Sequence, residues 1–229
     1  MQIDLTKRQH NLRRMLRPRH VCIVGGSAME DAIRRADDTG FTGEVWVVNP
    51  KYAELGGRKC YPSIDALPEA PDATFIAVPR EATIEIVKQL NAKGAGGAIC
   101  YAAGYNEVGG EGVGLQAELI AAAGDLAVVG PNCYGLLNFI DGICLWPTGA
   151  LGDRVESGCA LVMQSGNIAL NLSRNDRSVP FAYVISSGNQ AVLGAADYIE
   201  ALADDPKVTA IGLYLEGIKD VPSFSRAQD

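Results

Sequence analysis

The sequence predicts an α/β protein built on doubly wound parallel sheet. Three observations carry this prediction. Short β-branched apolar runs alternate with longer helical runs from His20 onward, glycine and proline punctuate the joins, and aromatics supply only 7% of a chain that is 48% hydrophobic. The alternation is interrupted once. At 229 residues the chain has the length for two ordinary units, and the interruption is where they are expected to meet.

Residues 1–17 form a basic extension. Six Lys or Arg and one acid occur in the first twenty residues, with Leu5, Leu12, Met15 and Leu16 between them. The extension reads as a surface helix packed on the first unit, with a transit peptide as the other reading. The first unit is expected over residues 18–145. Its strand 21–24 leads into helix 28–38, and a turn at Gly40 and Gly43 precedes strand 44–49. Strand 73–78 feeds helix 81–93, which stops at Gly94; strand 98–101, a helix containing 116–123 and strand 126–129 complete the series. Residues 131–158, with Pro131, Pro147 and several glycines, read as a crossover. The second unit, 146–229, restarts the rhythm with strand 159–163, helix 168–177, strand 181–186, helix 193–202 and strand 208–215. Three parallel strands with one uncovered end make an incomplete domain, so a longer polypeptide or a partner chain is expected.

Composition narrows the class. A net charge of −7 argues against nucleic acid as the main partner, while leaving room for a phosphorylated small molecule held by a local cluster of donors. Six scattered cysteines without a C-x-x-C pair suit reduced, buried thiols of a cytoplasmic protein, not a disulfide framework or a metal site. No stretch approaches eighteen consecutive apolar residues, so no membrane span is expected.

Ligands of open parallel sheets bind along the carboxyl ends of the strands, so the strand ends carry the functional signals. The first reads Gly25-Gly26-Ser27, glycine-rich without spelling G-x-G-x-x-G. The second reads Asn49-Pro50-Lys51, where an enzyme holding a free ribose 2′-hydroxyl would place an acid. A cation there suits a ribose bearing an extra phosphate, as in NADP or coenzyme A. Val78-Pro79-Arg80 ends the third strand and opens a helix, pointing Arg80 at the same edge, and Tyr101-Ala102-Ala103 ends the fourth. In the second unit, Ser165-Gly166-Asn167 and Ser187-Gly188-Asn189 each follow a strand and are expected to open a helix. Two helix N-termini at one sheet edge would form an anion site. Neither has a general base nearby in sequence, because the two histidines are His10 and His20.

The run from Gly130 to Asn138, Gly-Pro-Asn-Cys-Tyr-Gly-Leu-Leu-Asn, is the most specific string in the chain. With the strand-end motifs and both Ser-Gly-Asn tripeptides in order, the chain from about residue 18 onward resembles the NDP-forming acyl-CoA synthetases, relatives of the succinyl-CoA synthetase α-subunit. The resemblance implies a Rossmann-like CoA-binding domain followed by a partial flavodoxin-like domain. Gly25 to Ser27, Asn49 to Lys51, Val78 to Arg80 and Tyr101 to Ala103 would line CoA, with Asn132 and Cys133 near its thiol end. Cys133 is implied to be a pocket residue, not a nucleophile. The two tripeptides would cradle a phosphohistidine loop, and Glu216 would orient the histidine.

In this family ATP, with Mg, binds a separate ATP-grasp module, in cis or in trans. The phosphoryl group passes through the histidine to a carboxylic acid, and CoA displaces it. The family histidine would follow Glu216 by some tens of residues, past Asp229, so this chain alone is expected to be inactive. A cytoplasmic homo-oligomer is implied. The alternatives are an NADP-dependent reductase, which leaves the Gly-Pro-Asn-Cys string without a role, and a non-catalytic CoA-binding regulatory module. A serine hydrolase is disfavoured, because Gln164-Ser165-Gly166 lacks the first glycine of G-x-S-x-G and no histidine follows it.

Overall fold

The structure is a computed structural model and describes residues 4–147, 152–174 and 179–228. Helix α1 (Leu5–Leu16) is capped by Asp4, whose carboxylate accepts from the Lys7 amide, and carries Arg13 and Arg14 in its last turn, where cations suit the helix dipole. The first sheet then begins with β1 (His20–Gly25), buried along its whole length; a short 3₁₀ turn leads into α2 (Glu30–Asp38) and β2 (Glu44–Val48). A hairpin follows, β3 (Glu54–Leu55) and β4 (Arg58–Tyr61). The periodicity did not mark it, because a two-residue strand is too short to alternate. Next come β5 (Ala73–Ala77), α3 (Arg80–Lys93) closed by a left-handed Gly94, β6 (Gly97–Cys100), α4 (Glu111–Ala123) and β7 (Ala127–Val129).

The remaining elements are β8 (Gly135–Asn138), β9 (Ile143–Leu145), β10 (Gly158–Met163), α5 (Gly166–Ser173), β11 (Phe181–Ser186), α6 (Ala195–Ala203), β12 (Val208–Tyr214) and α7 (Val221–Arg226). The end of the expected helix 168–177 reaches residues 175–177, which lie outside the described residues.

The first sheet has the order β3-β4-β2-β1-β5-β6-β7, parallel except for β3. Its strand order reverses at β1, flanked by β2 and β5, which opens a crevice at their carboxyl ends. The second sheet has the order β12-β10-β11-β8-β9, with three parallel strands and an antiparallel pair. This corrects the expected division. Residues 131–145 read as the tail of the first unit and the start of an irregular crossover, yet β8 and β9 bond to β11 and extend the second sheet. Their apolar residues are buried on both faces, so the prolines around them masked a strand pair.

Helix α1 lies against both units. Leu12, Met15 and Leu16 join one continuous core with Ile23 and Phe75 of the first sheet and Tyr183, Tyr198 and Leu202 of the second unit, while Leu5 stays 67% exposed. Its basic side chains find acids on both sides, Arg14 with Asp72 at 2.8 Å, and Arg13 with Asp204 at 2.6 Å. The buried Arg8 donates to the Gly124 carbonyl at 2.5 Å. The extension was expected on the first unit alone; it joins the two. Among the described residues no helix is long and apolar enough to cross a membrane.

Candidate functional site

The predicted motifs of the first unit line the carboxyl edge of its sheet. The Asn49 amide ties two of them together: its Nδ2 donates to the Gly25 carbonyl at 2.7 Å and its Oδ1 accepts from the Lys51 amide at 2.7 Å. A side-chain carbon placed on Gly26 would meet nothing within 4 Å, and Ser27 is exposed, so these two border open space, whereas a carbon on the buried Gly25 would sit 2.6 Å from the Met29 side chain. Lys51 is exposed beside Pro50 and makes no ion pair among the described residues. Val78 and Pro79 end β5 at the same edge. Arg80 follows them with its guanidinium engaged, donating to the Gly104 carbonyl at 2.8 Å and to Glu81 at 2.9 Å.

A cavity of about 550 Å³ opens where this edge meets the second sheet. Tyr101, Ala102 and Ala103 reach it from β6, and Asn132, Cys133 and Tyr134 from the segment before β8. Ser165, Gly166, Asn167, Gly188, Asn189 and Glu216 close the other side. Eleven of the residues singled out in the sequence thus share one cavity. Ser187 lies fully buried beneath it, and the Gly25, Asn49 and Val78 motifs lie outside it along the first sheet's edge.

The two tripeptides do not share a conformation. Ser165 caps α5, its hydroxyl accepting from the Ile168 amide at 3.4 Å, so the first-turn amides of Gly166 and Asn167 face the cavity without a helical acceptor. Ser187-Gly188-Asn189 opens no helix. The expected helix at 193 begins at Ala195, after a loop, and its cap is Gly194. The reason is competition for backbone donors: the Asn189 amide bonds to the Pro131 carbonyl and the Ala191 amide to the Gly130 carbonyl, each at 2.9 Å. Lys219 completes the turn by donating to the Asn189 and Gln190 carbonyls, both at 2.9 Å, and burial pushes its pKa down. The predicted pair of helix ends is therefore one helix end and one backbone-locked turn.

Both glycines are required by close approach. A Cβ on Gly188, at φ +52°, would sit 2.3 Å from the Pro131 carbonyl oxygen; one on Gly166 would sit 2.5 Å from the Tyr134 ring.

Three cavity residues escaped the sequence reading. Glu107 accepts from the Gly104 amide at 2.6 Å, from the Tyr105 amide at 3.2 Å and from the Asn189 side chain. Partial burial pushes its carboxyl up, but these donors outweigh that and hold it below the ordinary glutamate value. Gln164 accepts through its side-chain oxygen from the Glu216 and Gly217 amides, which fixes the backbone of the predicted glutamate. Tyr134 stacks on Trp146 with ring centroids 5.5 Å apart. Adjacency to named motifs was the available signal for Gln164 and Tyr134; Glu107 had none.

Among the described residues, no lysine, arginine or histidine lines the cavity. His20 is buried against Trp46 and accepts from the Asp72 amide, while His10 is exposed on α1. The Cys133 sulfur turns inward, 3.4 Å from the Cys100 carbonyl, and burial holds its thiol protonated by pushing its pKa well up. This geometry offers an open sheet edge bearing the exposed Lys51, leading into a helix end flanked by two carboxylates. Such a site suits a long phosphorylated ligand whose far end enters the cavity.

Comparison with known proteins also finds two units, although the first match runs through β8, which the structure pairs with the second sheet. Residues 19–138 match the family model described as a CoA binding domain, and residues 156–229 match the succinyl-CoA ligase-like flavodoxin domain. A trans-feruloyl-CoA synthase from an unknown prokaryotic organism is 34% identical, over 93% of this chain and 32% of its own length. The ADP-forming acetate–CoA ligase I of Archaeoglobus fulgidus is also 34% identical, over 94% of this chain and 32% of its own. The chain thus spans about a third of the length of these curated relatives. Among solved structures, the apo dinucleotide-forming acetyl-coenzyme A synthetase 1 of Ca. Korarchaeum cryptofilum superposes with a TM-score of 0.83 at 29% identity, covering 95% of this chain and 48% of that one. With the motif order, the two-sheet architecture and both domain matches in agreement, the chain belongs to the NDP-forming acyl-CoA synthetase family, as its CoA-binding and succinyl-CoA-ligase-like portion.

Proposed function

We propose that this chain binds coenzyme A and supplies one half of the active site of an acyl-CoA synthetase that joins a carboxylic acid to CoA. One observation carries the reading: a single cavity joins the β6 strand end of the first sheet to the α5 N-terminus and Glu216 of the second. CoA would lie along the edge formed by Gly25, Asn49 and Val78, with Lys51 facing its 3′-phosphate and its thiol entering past Asn132.

In the proposed reaction a phosphoryl group passes from a histidine to the acid's carboxylate. The CoA thiol then attacks the acyl carbon, and the carbon–oxygen bond to the leaving phosphate breaks. The histidine and an ATP-grasp module with ATP and Mg would come from elsewhere in the polypeptide or from a partner, so these 229 residues would not turn over alone. With no basic side chain among the described residues lining the cavity, the α5 N-terminus would be the main local stabiliser of the transferring group, contributing about 0.3–1 kcal/mol if exposed and up to ~2 kcal/mol if partly buried. Glu216, its backbone held by Gln164, would orient the incoming histidine. Asn189, fixed by Glu107 and by its own backbone bonds, would contribute a side chain instead of a second helix end. A homo-oligomeric, cytoplasmic setting completes the proposal.

Calorimetry with CoA, dephospho-CoA and NADPH tests the reading. CoA should bind, and loss of the 3′-phosphate should weaken binding about tenfold, as removal of one charge-assisted contact implies. NADPH binding without CoA binding would overturn the proposal, and equal affinity for CoA and dephospho-CoA would remove Lys51 from it.

A further inference from the structure

The cavity wall carries a feature that CoA binding, to which only its Tyr101 is assigned, does not account for. Phe75, Tyr101, Tyr134 and Trp146 form a continuous array of rings, with successive centroids 5.9, 6.4 and 5.5 Å apart. The array begins in the core of the first sheet at Phe75, emerges at Tyr101, which is 40% exposed, and returns to the interior at Trp146, which is 3% exposed. Its two middle rings line the cavity. Neither phenol takes a hydrogen bond among the described residues, so both present ring surface with a free polar tip.

Tyr134 is held in place from two sides. Trp146 stacks on it at an interplanar angle of 29°, and Gly166 approaches so closely that a Cβ there would touch the ring. The ring therefore sits directly beside the first turn of α5, whose amides suit a carboxylate or the acyl phosphate formed from it. The charges in the same cavity point one way. Glu107 and Glu216 face it, and among the described residues no basic side chain does. A substrate bearing a second carboxylate would place like charges together with no counter-ion.

We propose that Tyr101 and Tyr134, the latter backed by Trp146, form the acyl-specificity wall of this site, and that the acid it takes is a monocarboxylic acid with a planar aromatic tail. The tail packs edge-to-face or offset against Tyr134 while the carboxylate faces the Gly166 and Asn167 amides. This inference rests on the CoA reading above, because the thioester product must then present its acyl group to the same wall.

Calorimetry of this chain with CoA, cinnamoyl-CoA, acetyl-CoA and succinyl-CoA tests it. Cinnamoyl-CoA should bind about tenfold tighter than acetyl-CoA, as expected for one well-formed aromatic contact, and succinyl-CoA should bind weakest. In Tyr134→Leu the ratio of cinnamoyl-CoA to acetyl-CoA affinity should fall close to one, whatever happens to CoA itself. Trp146→Phe, which keeps the ring stack, should retain most of the preference and guards against misreading a folding defect. Equal binding of the three thioesters with CoA binding intact would overturn the wall and leave the CoA reading standing, as would a preference unchanged in folded Tyr134→Leu. If CoA itself does not bind, the CoA reading fails. Saturation transfer from the protein to free cinnamate then decides the wall separately: transfer lost in Tyr134→Leu supports it, and none in the parent chain overturns it.

Discussion

Ser165-Gly166-Asn167 and Ser187-Gly188-Asn189 have the same residues, follow parallel strands of one sheet and face one cavity, yet the first starts a helix and the second forms a locked turn. The difference lies in what surrounds them. After Asn167 the chain is free to continue helically, and the Ser165 hydroxyl takes the donor a capped helix offers. After Asn189 the carbonyls of Gly130 and Pro131 take the amides a helix would need, and Lys219 takes the carbonyls. Three residues specify a strand end; the neighbouring segment decides what the end becomes.

The sharpest way to break this comparison is through the glycines. Gly188→Ala combines a left-handed φ with a backbone clash at the Pro131 oxygen, and is expected to cost about 3 kcal/mol. Gly166→Ala keeps an ordinary helical φ, meets a side-chain ring instead of backbone, and gains helix propensity; about 1 kcal/mol is expected. Urea unfolding of both variants measures the gap, and equal losses would mean that the two turns are equivalent after all.

A smaller contrast separates the serines. Ser187→Ala leaves the buried Gln190 amide, now 3.1 Å from the hydroxyl, without its acceptor, for about 2 kcal/mol. Ser165→Ala removes a helix cap, for about 1 kcal/mol. The same unfolding series ranks them, and the reverse order would show that the capping role is the dominant one.

The least of the expected effects is set by pH. Glu107 anchors Asn189, and no described contact does the same for Asn167. Because its folded pKa is lowered, its stabilisation is present above the ordinary glutamate value of about 4.3 and is lost as pH falls through the lowered value. Thermal unfolding should therefore show a shallower acid-side decline in Glu107→Gln than in the parent protein. Identical acid limbs would remove Glu107 as the anchor of the second turn.

Much of the first unit was legible because each strand is a short buried apolar run and each helix has its own stop signal, as at Gly94. Apart from the short, local β3–β4 hairpin, what escaped in the fold depended on partners distant in sequence. Strands β8 and β9 are recognisable only through pairing with β11, and the locked turn at Gly188 only through Pro131, fifty-seven residues before it by number. The same holds at the cavity. Asn132, Ser165 and Glu216 were readable from strand ends and a family resemblance, whereas Glu107 enters through a 3₁₀ turn with no periodicity to mark it. Helix α1 shows the limit from the other side: its charge excess was plain, but its acidic partners sit on both units and are seen only once the chain is folded.

The inward-facing sulfur of Cys133 has a consequence for chemical fidelity. A protein that handles activated acyl groups and a small-molecule thiol is exposed to two side reactions, capture of the acyl group by its own cysteine and formation of a mixed disulfide. Both require a thiolate at the cavity surface. By burying the sulfur against the Cys100 carbonyl and keeping it protonated, the fold withholds a Cys133 thiolate from both reactions, so on the proposed reading the acyl group would be left to the CoA thiol.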